Sequence, residues 1–147
     1  MTNYPNPWDF SNFDPNMYSF DKRYKIEFGE LLEIAMGAPI GGECYVIEES
    51  KKTLLSKFSG GPVIWECDNY RVALPVWTRN LHNRTVQQIA IADLNNMTLT
   101  VYKETFRVLD LHSFKGGIIC GLDSPVYMTK TLNLDIAKLK IEKTEKL

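Results

Sequence analysis

The sequence predicts an all-β protein: an antiparallel meander of about ten strands forming a sandwich or a barrel, with an extended aromatic segment at the amino terminus. Three observations predict this class. Apolar and polar side chains alternate in several short stretches, turn residues separate those stretches, and no long stretch has apolar residues at helical spacing. A chain of 147 residues can form one hydrophobic core. We therefore expect an extended segment over residues 1–23, packed on a single β domain over residues 24–147.

The alternation of side chains places the strands in order along the chain. Tyr24, Ile26 and Phe28 alternate with charged residues and predict the first strand. Residues 30–36 are interpreted as a strand that continues past a bulge at Gly29, with one helical turn as the alternative. The strand at 86–92 is expected to have partly apolar residues on both faces. The other predicted strands cover residues 63–67, 70–77, 97–101, 106–112, 118–120 and 132–136.

Short turns connect these strands. Asp68 and Asn69 predict a two-residue hairpin link, because both residue types tolerate a positive φ angle. Lys115, Gly116 and Gly117 are expected to turn one strand back into the next. The remaining turns are predicted at residues 50–52, 59–62 and 93–96.

Composition excludes several classes of protein. A net charge of −1 gives no broad positive field, which disfavours nucleic acid as a partner. Proline and aspartate interrupt the amino-terminal residues, and no apolar run approaches the roughly 20 residues of a membrane-spanning helix, so neither secretion nor membrane insertion is predicted. Cys44, Cys67 and Cys120 are odd in number and lie on predicted strands, which indicates reduced, partly buried thiols. We expect a cytoplasmic bacterial protein.

Neither a metal site nor a cofactor site is predicted. The chain has no Cys-x-x-Cys pair and no close pair of histidines. The glycine-rich stretch over residues 37–42 leads into a strand and lacks the lysine of a phosphate-binding loop, so it is interpreted as a turn.

The amino-terminal segment is rich in aromatic residues for a stretch that also contains proline, asparagine and aspartate. We expect it to wrap the sheet and cover one edge or end with its rings, and a partner-binding arm is the alternative. The aromatic residues are Tyr4, Trp8, Phe10, Phe13, Tyr18 and Phe20.

The loop over residues 78–84 is longer than its neighbours and follows Trp77. It carries Arg79, His82 and Arg84. Long loops on a rigid sheet are common recognition sites, so these residues are candidates for partner binding, and a solvated connection is the alternative.

Two further groups of residues suggest chemistry. Asp110 and His112 share a strand face, and the glycine turn that follows could bring Cys120 opposite them as a nucleophile, although Cys120 is expected to be buried. A stacking platform for single-stranded bases is a second possibility, formed by neighbouring aromatic residues and arginines, with cross-strand packing as the alternative. That platform would consist of Trp65, Tyr70, Trp77, Arg71 and Arg79.

Part of the chain resembles the small all-β immunity proteins of bacterial toxin–immunity pairs, including contact-dependent inhibition systems. The resemblance lies between Gly61 and Tyr127, in GPVIWECDNYRVALPVWTRN, TVQQIAIADL and TFRVLDLHSFKGGIICGLDSPVY, and covers somewhat under half the chain. It consists of strand and turn residues and assigns no functional residue. It implies tight, non-catalytic binding to a cognate toxin, commonly a nuclease.

Such binding would use aromatic and arginine anchors surrounded by polar residues, with carboxylates set against a basic cleft of the toxin. Trp77, Arg79, His82 and Arg84 are the candidate anchors, together with Glu66 and Asp68. Other carboxylates predicted near hairpin ends are Glu48, Glu49 and Asp93.

Three hypotheses therefore follow from the sequence. The first is a non-catalytic module that binds a toxin protein. The second is a β barrel or sandwich that holds a small ligand in an internal cavity with convergent polar groups. The third is an enzyme that uses Asp110, His112 and Cys120.

Overall fold

The computed structural model describes residues 5–67 and 70–147, and these residues form an all-β, antiparallel fold. In this part of the chain the only helices are two 3₁₀ turns, at Pro15–Met17 and Ile136–Lys138. Neither is long and apolar enough to cross a membrane. The strands are β1 Tyr24–Phe28, β2 Leu32–Glu33, β3 Ile40–Glu48, β4 Lys51–Ser59, β5 Ile64–Trp65, β6 Arg71–Arg79, β7 Thr85–Asp93, β8 Thr98–Phe106, β9 Leu109–Lys115, β10 Ile118–Asp123, β11 Lys130–Asp135 and β12 Ile141–Lys146.

The strands form two sheets. The large sheet has the order β1-β3-β4-β6-β7-β8-β12, with β2 also paired to β3 and β5 to β6. It is not closed into a barrel. Its weakest link lies between β4 and β6, where Ser59 and Val76 are the one registered pair. The small sheet has the order β11-β10-β9.

Two apolar clusters lie on opposite faces of the central strands β6 and β7, because alternate side chains of a strand point to opposite faces. Val72, Leu74 and Ala90 belong to what we call the inner core, which also contains residues of β1, β3, β4 and β8. Ala73 and Ile89 belong to the outer core, which packs these strands against the small sheet. The prediction of apolar residues on both faces of the strand at 86–92 is confirmed.

Residues 5–23 pack against the sheet through both rings and amides. Phe10 and Met17 are buried in the inner core. The Asn12 side chain extends the ladder of β1, donating from Nδ2 to the carbonyl of Phe28 and accepting from the Phe28 N–H. Asn16 donates from Nδ2 to the carbonyl of Val63 at 3.0 Å. The segment is therefore attached to β1 and to the residues that precede β5.

The connectivity differs from a plain meander. The last strand, β12, returns to pair with β8, and β9 to β11 leave the large sheet to form the second one. The described residues form twelve strands, whereas about ten were expected, and β2 and β5 are shorter than predicted, with two residues each. The all-β antiparallel class itself is confirmed.

Several predicted boundaries were wrong. Residues 30–36 contain only the two-residue strand β2, and the alternative of a helical turn is also wrong. The strand predicted at 106–112 is divided, because β8 ends at Phe106 and β9 begins at Leu109. Met97 belongs to the turn before β8 and has a positive φ. The predicted Asp68–Asn69 turn and Tyr4 lie outside the described residues.

Candidate functional site

Four loops meet around a groove of about 940 Å³ at one end of the sheets. The loops cover residues 34–39 before β3, 80–84 between β6 and β7, 107–108 between β8 and β9, and 124–129 between β10 and β11. We call this region the loop end. Strand ends complete its lining, among them Trp77 and Lys130. The loop predicted from sequence as a recognition element is one of the four.

The 80–84 loop is held in one conformation by Asn80. Its Oδ1 accepts hydrogen bonds from the N–H groups of His82 and Arg84, at 2.9 and 3.0 Å. Its own N–H donates to the carbonyl of Arg84, and its carbonyl accepts from the Asn83 N–H. A side chain that satisfies the backbone of its own loop in this way fixes the loop's shape before any partner arrives.

Large apolar side chains project from these loops into solvent. Met36 and Leu81 are fully exposed, and Val126, Tyr127 and Met128 are each more than two-thirds exposed. Single exposed apolar residues are common on protein surfaces, whereas several of them on loops around one groove are typical of an interaction surface. The loop at 124–129 was not recognised from the sequence as functional.

Positive charge predominates around the groove. Arg84, Arg107 and Lys130 line it, and all three are exposed. The carboxylate of Asp123 also lies there, but its Oδ1 accepts from the N–H groups of Arg107 and Val108 and therefore caps the turn between β8 and β9. The rim is consequently suited to an acidic partner surface.

Trp77 on β6 forms part of the wall of the groove at the loop end. It is half-buried, and its ring packs against Phe58 at a centroid distance of 6.4 Å. Its Nε1 is buried without a hydrogen-bond partner. A Cβ atom added at Gly41 or Gly60 would lie 3.0 Å from this nitrogen, so both glycines are needed for the indole to fit. Close packing against these glycines and Phe58 therefore restricts the position of the Trp77 side chain.

Glu66 is not available to a partner, which corrects its prediction as a surface carboxylate. Its side chain is fully buried, and it accepts from Arg71 Nε at 2.6 Å and Arg71 Nη2 at 2.7 Å. It also accepts from the Gly117 N–H at 2.7 Å. The carboxylate therefore joins β6 to the turn between β9 and β10, and it raises the pKa of Arg71 through this hydrogen bonding. Asp68, the other carboxylate candidate, lies outside the described residues.

The three candidate catalytic residues are only partly brought together. The carboxylate of Asp110 lies 3.2 Å from His112 Nε2, as their shared strand face predicts. Cys120 is registered against Ser113, and a bulge between Cys120 and Gly121 leaves His112 without a Cα partner. Cys120 is only partly buried on β10, so the expectation that it is buried was wrong.

The aromatic residues of the proposed stacking platform do not form one surface. Trp65 is buried and stacks on Tyr24, and Tyr70 contacts Tyr24 edge to face. Trp77 instead packs on Phe58. The alternative of aromatic packing within the fold accounts for Trp65 and Tyr70.

Within residues 5–67 and 70–147, no group of three or more His, Cys, Asp or Glu side chains has an arrangement that could hold a metal ion. Comparisons of the chain with protein-family models, with curated proteins and with solved structures found no match.

Proposed function

We propose that this chain is a non-catalytic protein-binding module that neutralises a cognate bacterial toxin protein by docking on it through the loop end. The observation that carries the proposal is the set of exposed apolar side chains on the loops around one groove. The class of partner comes from the resemblance of residues 61–127 to immunity proteins.

The apolar side chains supply the binding energy in this proposal. Leu81 is fully exposed on the 80–84 loop, and Tyr127 is 68% exposed on the 124–129 loop. A few anchors of this size, buried at the centre of an interface, commonly account for most of its affinity. Because Asn80 already fixes the conformation of its loop, little conformational entropy would be lost on docking.

The charged side chains determine which partner surface is favoured. Arg79 and Arg84 are exposed, and Arg107 and Lys130 are further exposed positive charges at the groove. This rim favours an acidic surface of the toxin and disfavours the phosphate-binding cleft of a nuclease, which would itself be basic. We therefore propose binding outside such a cleft, in place of direct competition by carboxylates.

The test begins with the protein encoded beside this chain's gene, produced together with it in bacteria. We expect co-purification and protection of the cells. Leu81→Asp should weaken binding by about 30-fold, because loss of a central anchor costs about 2 kcal/mol. Phe13→Asp is the matched control, since Phe13 is 95% exposed but lies on the amino-terminal segment and on none of the four loops.

A second pair of variants tests the charges. Arg84→Glu should slow association and reduce its dependence on salt, whereas Lys51→Glu at the start of β4 should leave both unchanged. Equal protection by Leu81→Asp and Phe13→Asp would show that the loop end is not the docking surface. Absence of any stable complex with the neighbouring protein would refute the toxin-binding function.

A further inference from the structure

The two end strands of the large sheet, β1 and β12, differ in how their outer edges are covered. Residues of the amino-terminal segment bond to the edge of β1: Tyr18 forms a bridge with Lys25, and the Ser19 N–H donates to the carbonyl of Tyr24. Within the part of the chain that the structure describes, β12 pairs with β8 alone. All six residues of β12 are exposed. An edge of this kind presents unpaired N–H and C=O groups to another strand.

The backbone groups of β12 that face the open edge can be identified from its pairing with β8. The Leu147 N–H donates to the carbonyl of Met97 at 2.9 Å, which continues the register of the strand pair. Bonded and outward-facing residues alternate along an antiparallel strand, so the backbone of Glu145 also bonds to β8. Thr144 and Lys146 therefore direct their N–H and C=O groups to the open edge.

The charges of β12 are arranged symmetrically about Thr144. Lys143 and Glu145 flank it and form an ion pair at 3.0 Å, and both of these side chains are more than half exposed. Glu142 and Lys146 are the next residues on either side. Reversing the order of the strand about Thr144 therefore exchanges every glutamate for a lysine and every lysine for a glutamate. An edge with this pattern is complementary to a second copy of itself.

Hydrogen bonding limits the registers in which two such edges can pair. The register of β12 with β8 is regular from Lys143 to Lys146, so the alternation of backbone groups applies there. Outward-facing residues of one edge must lie opposite outward-facing residues of the other, so a symmetric antiparallel pair is centred on a residue and not between two. Centring the pair on Lys143 or on Glu145 would place two like charges opposite each other, which destabilises a strand pair. Centring it on Thr144 avoids every such contact.

We propose that two copies of this chain associate through β12, with the strands antiparallel and centred on Thr144. Lysine on an edge strand ordinarily discourages pairing with other strands, whereas here each lysine lies opposite a glutamate, so the charges favour a second copy over other partners. Ile141 is 54% exposed in the single chain and is covered by an apolar side chain in the pair. The facing residues, each formed twice by the two-fold symmetry, are Lys143 with Glu145, Glu142 with Lys146 and Ile141 with Leu147.

The dimer should be weak and should dissociate on dilution, because one strand pair covers less area than the roughly 1,200 Å² of a standard interface. Sedimentation velocity of the full chain over a range of concentrations measures it. We expect a species of 16.9 kDa at low concentration and one of twice that mass at about 1 mM. Because β12 belongs to none of the four loops of the loop end, this measurement uses the chain alone and needs no toxin.

Exchanging charges on β12 tests the register. Lys143→Glu and Glu145→Lys each place like charges opposite one another at both symmetric positions, so each variant alone should dimerise about 30-fold more weakly. In an equimolar mixture the glutamates of one variant lie opposite the lysines of the other, so association should return to within about threefold of that of the unaltered chain. Glu30→Lys is the matched control, because it makes the same change of charge at an exposed residue between β1 and β2, and it should leave dimerisation unchanged.

Three results would overturn the proposal. The first is an unaltered chain that remains a monomer at about 1 mM, where even weak interfaces associate. The second is a dimer that neither Lys143→Glu nor Glu145→Lys weakens, which would place the interface elsewhere. The third is a mixture of the two variants that associates no better than either variant alone, which would exclude the pairing centred on Thr144. None of these results bears on docking through the loop end.

Discussion

Replacing Glu66 by glutamine should lower the stability of the protein more than the same replacement of an exposed glutamate. The carboxylate makes three charge-assisted hydrogen bonds, two with Arg71 and one with Gly117, and its side chain is fully buried. Glutamine retains one acceptor oxygen and turns its NH₂ group toward a donor. At least one of the three bonds is lost, at about 1.5–3 kcal/mol, and the donor that faced it is left unpaired.

The magnitude depends on how far water can reach the arginine. The Arg71 side chain is 32% exposed, so its guanidinium recovers part of its hydration when the carboxylate is gone. We therefore expect a loss near the lower limit for breaking a buried ion pair, about 3 kcal/mol. For a chain of this length that corresponds to a fall in Tm of about 9 °C.

The assay is urea unfolding followed by tryptophan fluorescence, with Tm from calorimetry as a second measure. Glu48→Gln is the matched control, because Glu48 also pairs with an arginine, Arg23, at 2.7 Å. Both of those side chains are at least one-third exposed, so its loss should be less than about 1 kcal/mol. Equal losses in the two variants would refute the argument that burial makes the Glu66 network important.

Two other predictions follow from the fold. Gly121→Ala should destabilise by more than about 2 kcal/mol in urea unfolding, because a Cβ there would lie 2.2 Å from the carbonyl oxygen of Asp110. Gly29→Ala, where the nearest atom is 3.7 Å away, should change stability by less than about 1 kcal/mol, and equal losses would contradict the reasoning. Burial raises the pKa of Cys44 from its ordinary value of 9.0, so the folded protein keeps a proton that the unfolded chain releases. Stability should therefore fall above pH 9, by up to about 1.4 kcal/mol per pH unit for this thiol, and a Cys44→Ala variant with an unchanged slope would refute that assignment.

Local patterns predicted the strands well because alternation reports directly on which face of a strand is buried. The strand around Ile89 and Ile91 shows this, since each of its faces contributes to a different core. The pattern could not predict the pairing of β12 with β8, because strand partners distant in sequence leave no local signal. It also missed the break after Phe106, where Arg107 and Val108 carry none of the usual turn residues.

The candidate site was predicted in part. The long loop predicted at 78–84 pointed to Arg79, His82 and Arg84, all of which are exposed, although Thr78 and Arg79 belong to β6 and the observed loop covers only residues 80–84. Met36 and Tyr127 could not be associated with them, because only tertiary packing brings their loops to the same groove. The apolar run that begins at Val126, directly after a Ser-Pro turn, was the available signal for the 124–129 loop.

Glu66 was wrongly predicted to lie on the surface and contact a partner. A carboxylate next to a predicted hairpin end is usually solvated, and its partner Gly117 lies 51 residues further along the chain. Nothing in the local sequence distinguishes such a residue from a surface glutamate. Its role follows only from the approach of β9 in the small sheet to β5.

The central strands have a consequence for how the protein melts. β6 and β7 lie between the inner core and the outer core. Removing the elements that cover either face would therefore expose apolar side chains of these two strands to water. A partly unfolded form would thus expose a large apolar surface and be sparsely populated. The protein should accordingly unfold in a single cooperative step. Residues 5–23 should therefore lose their structure together with the small sheet.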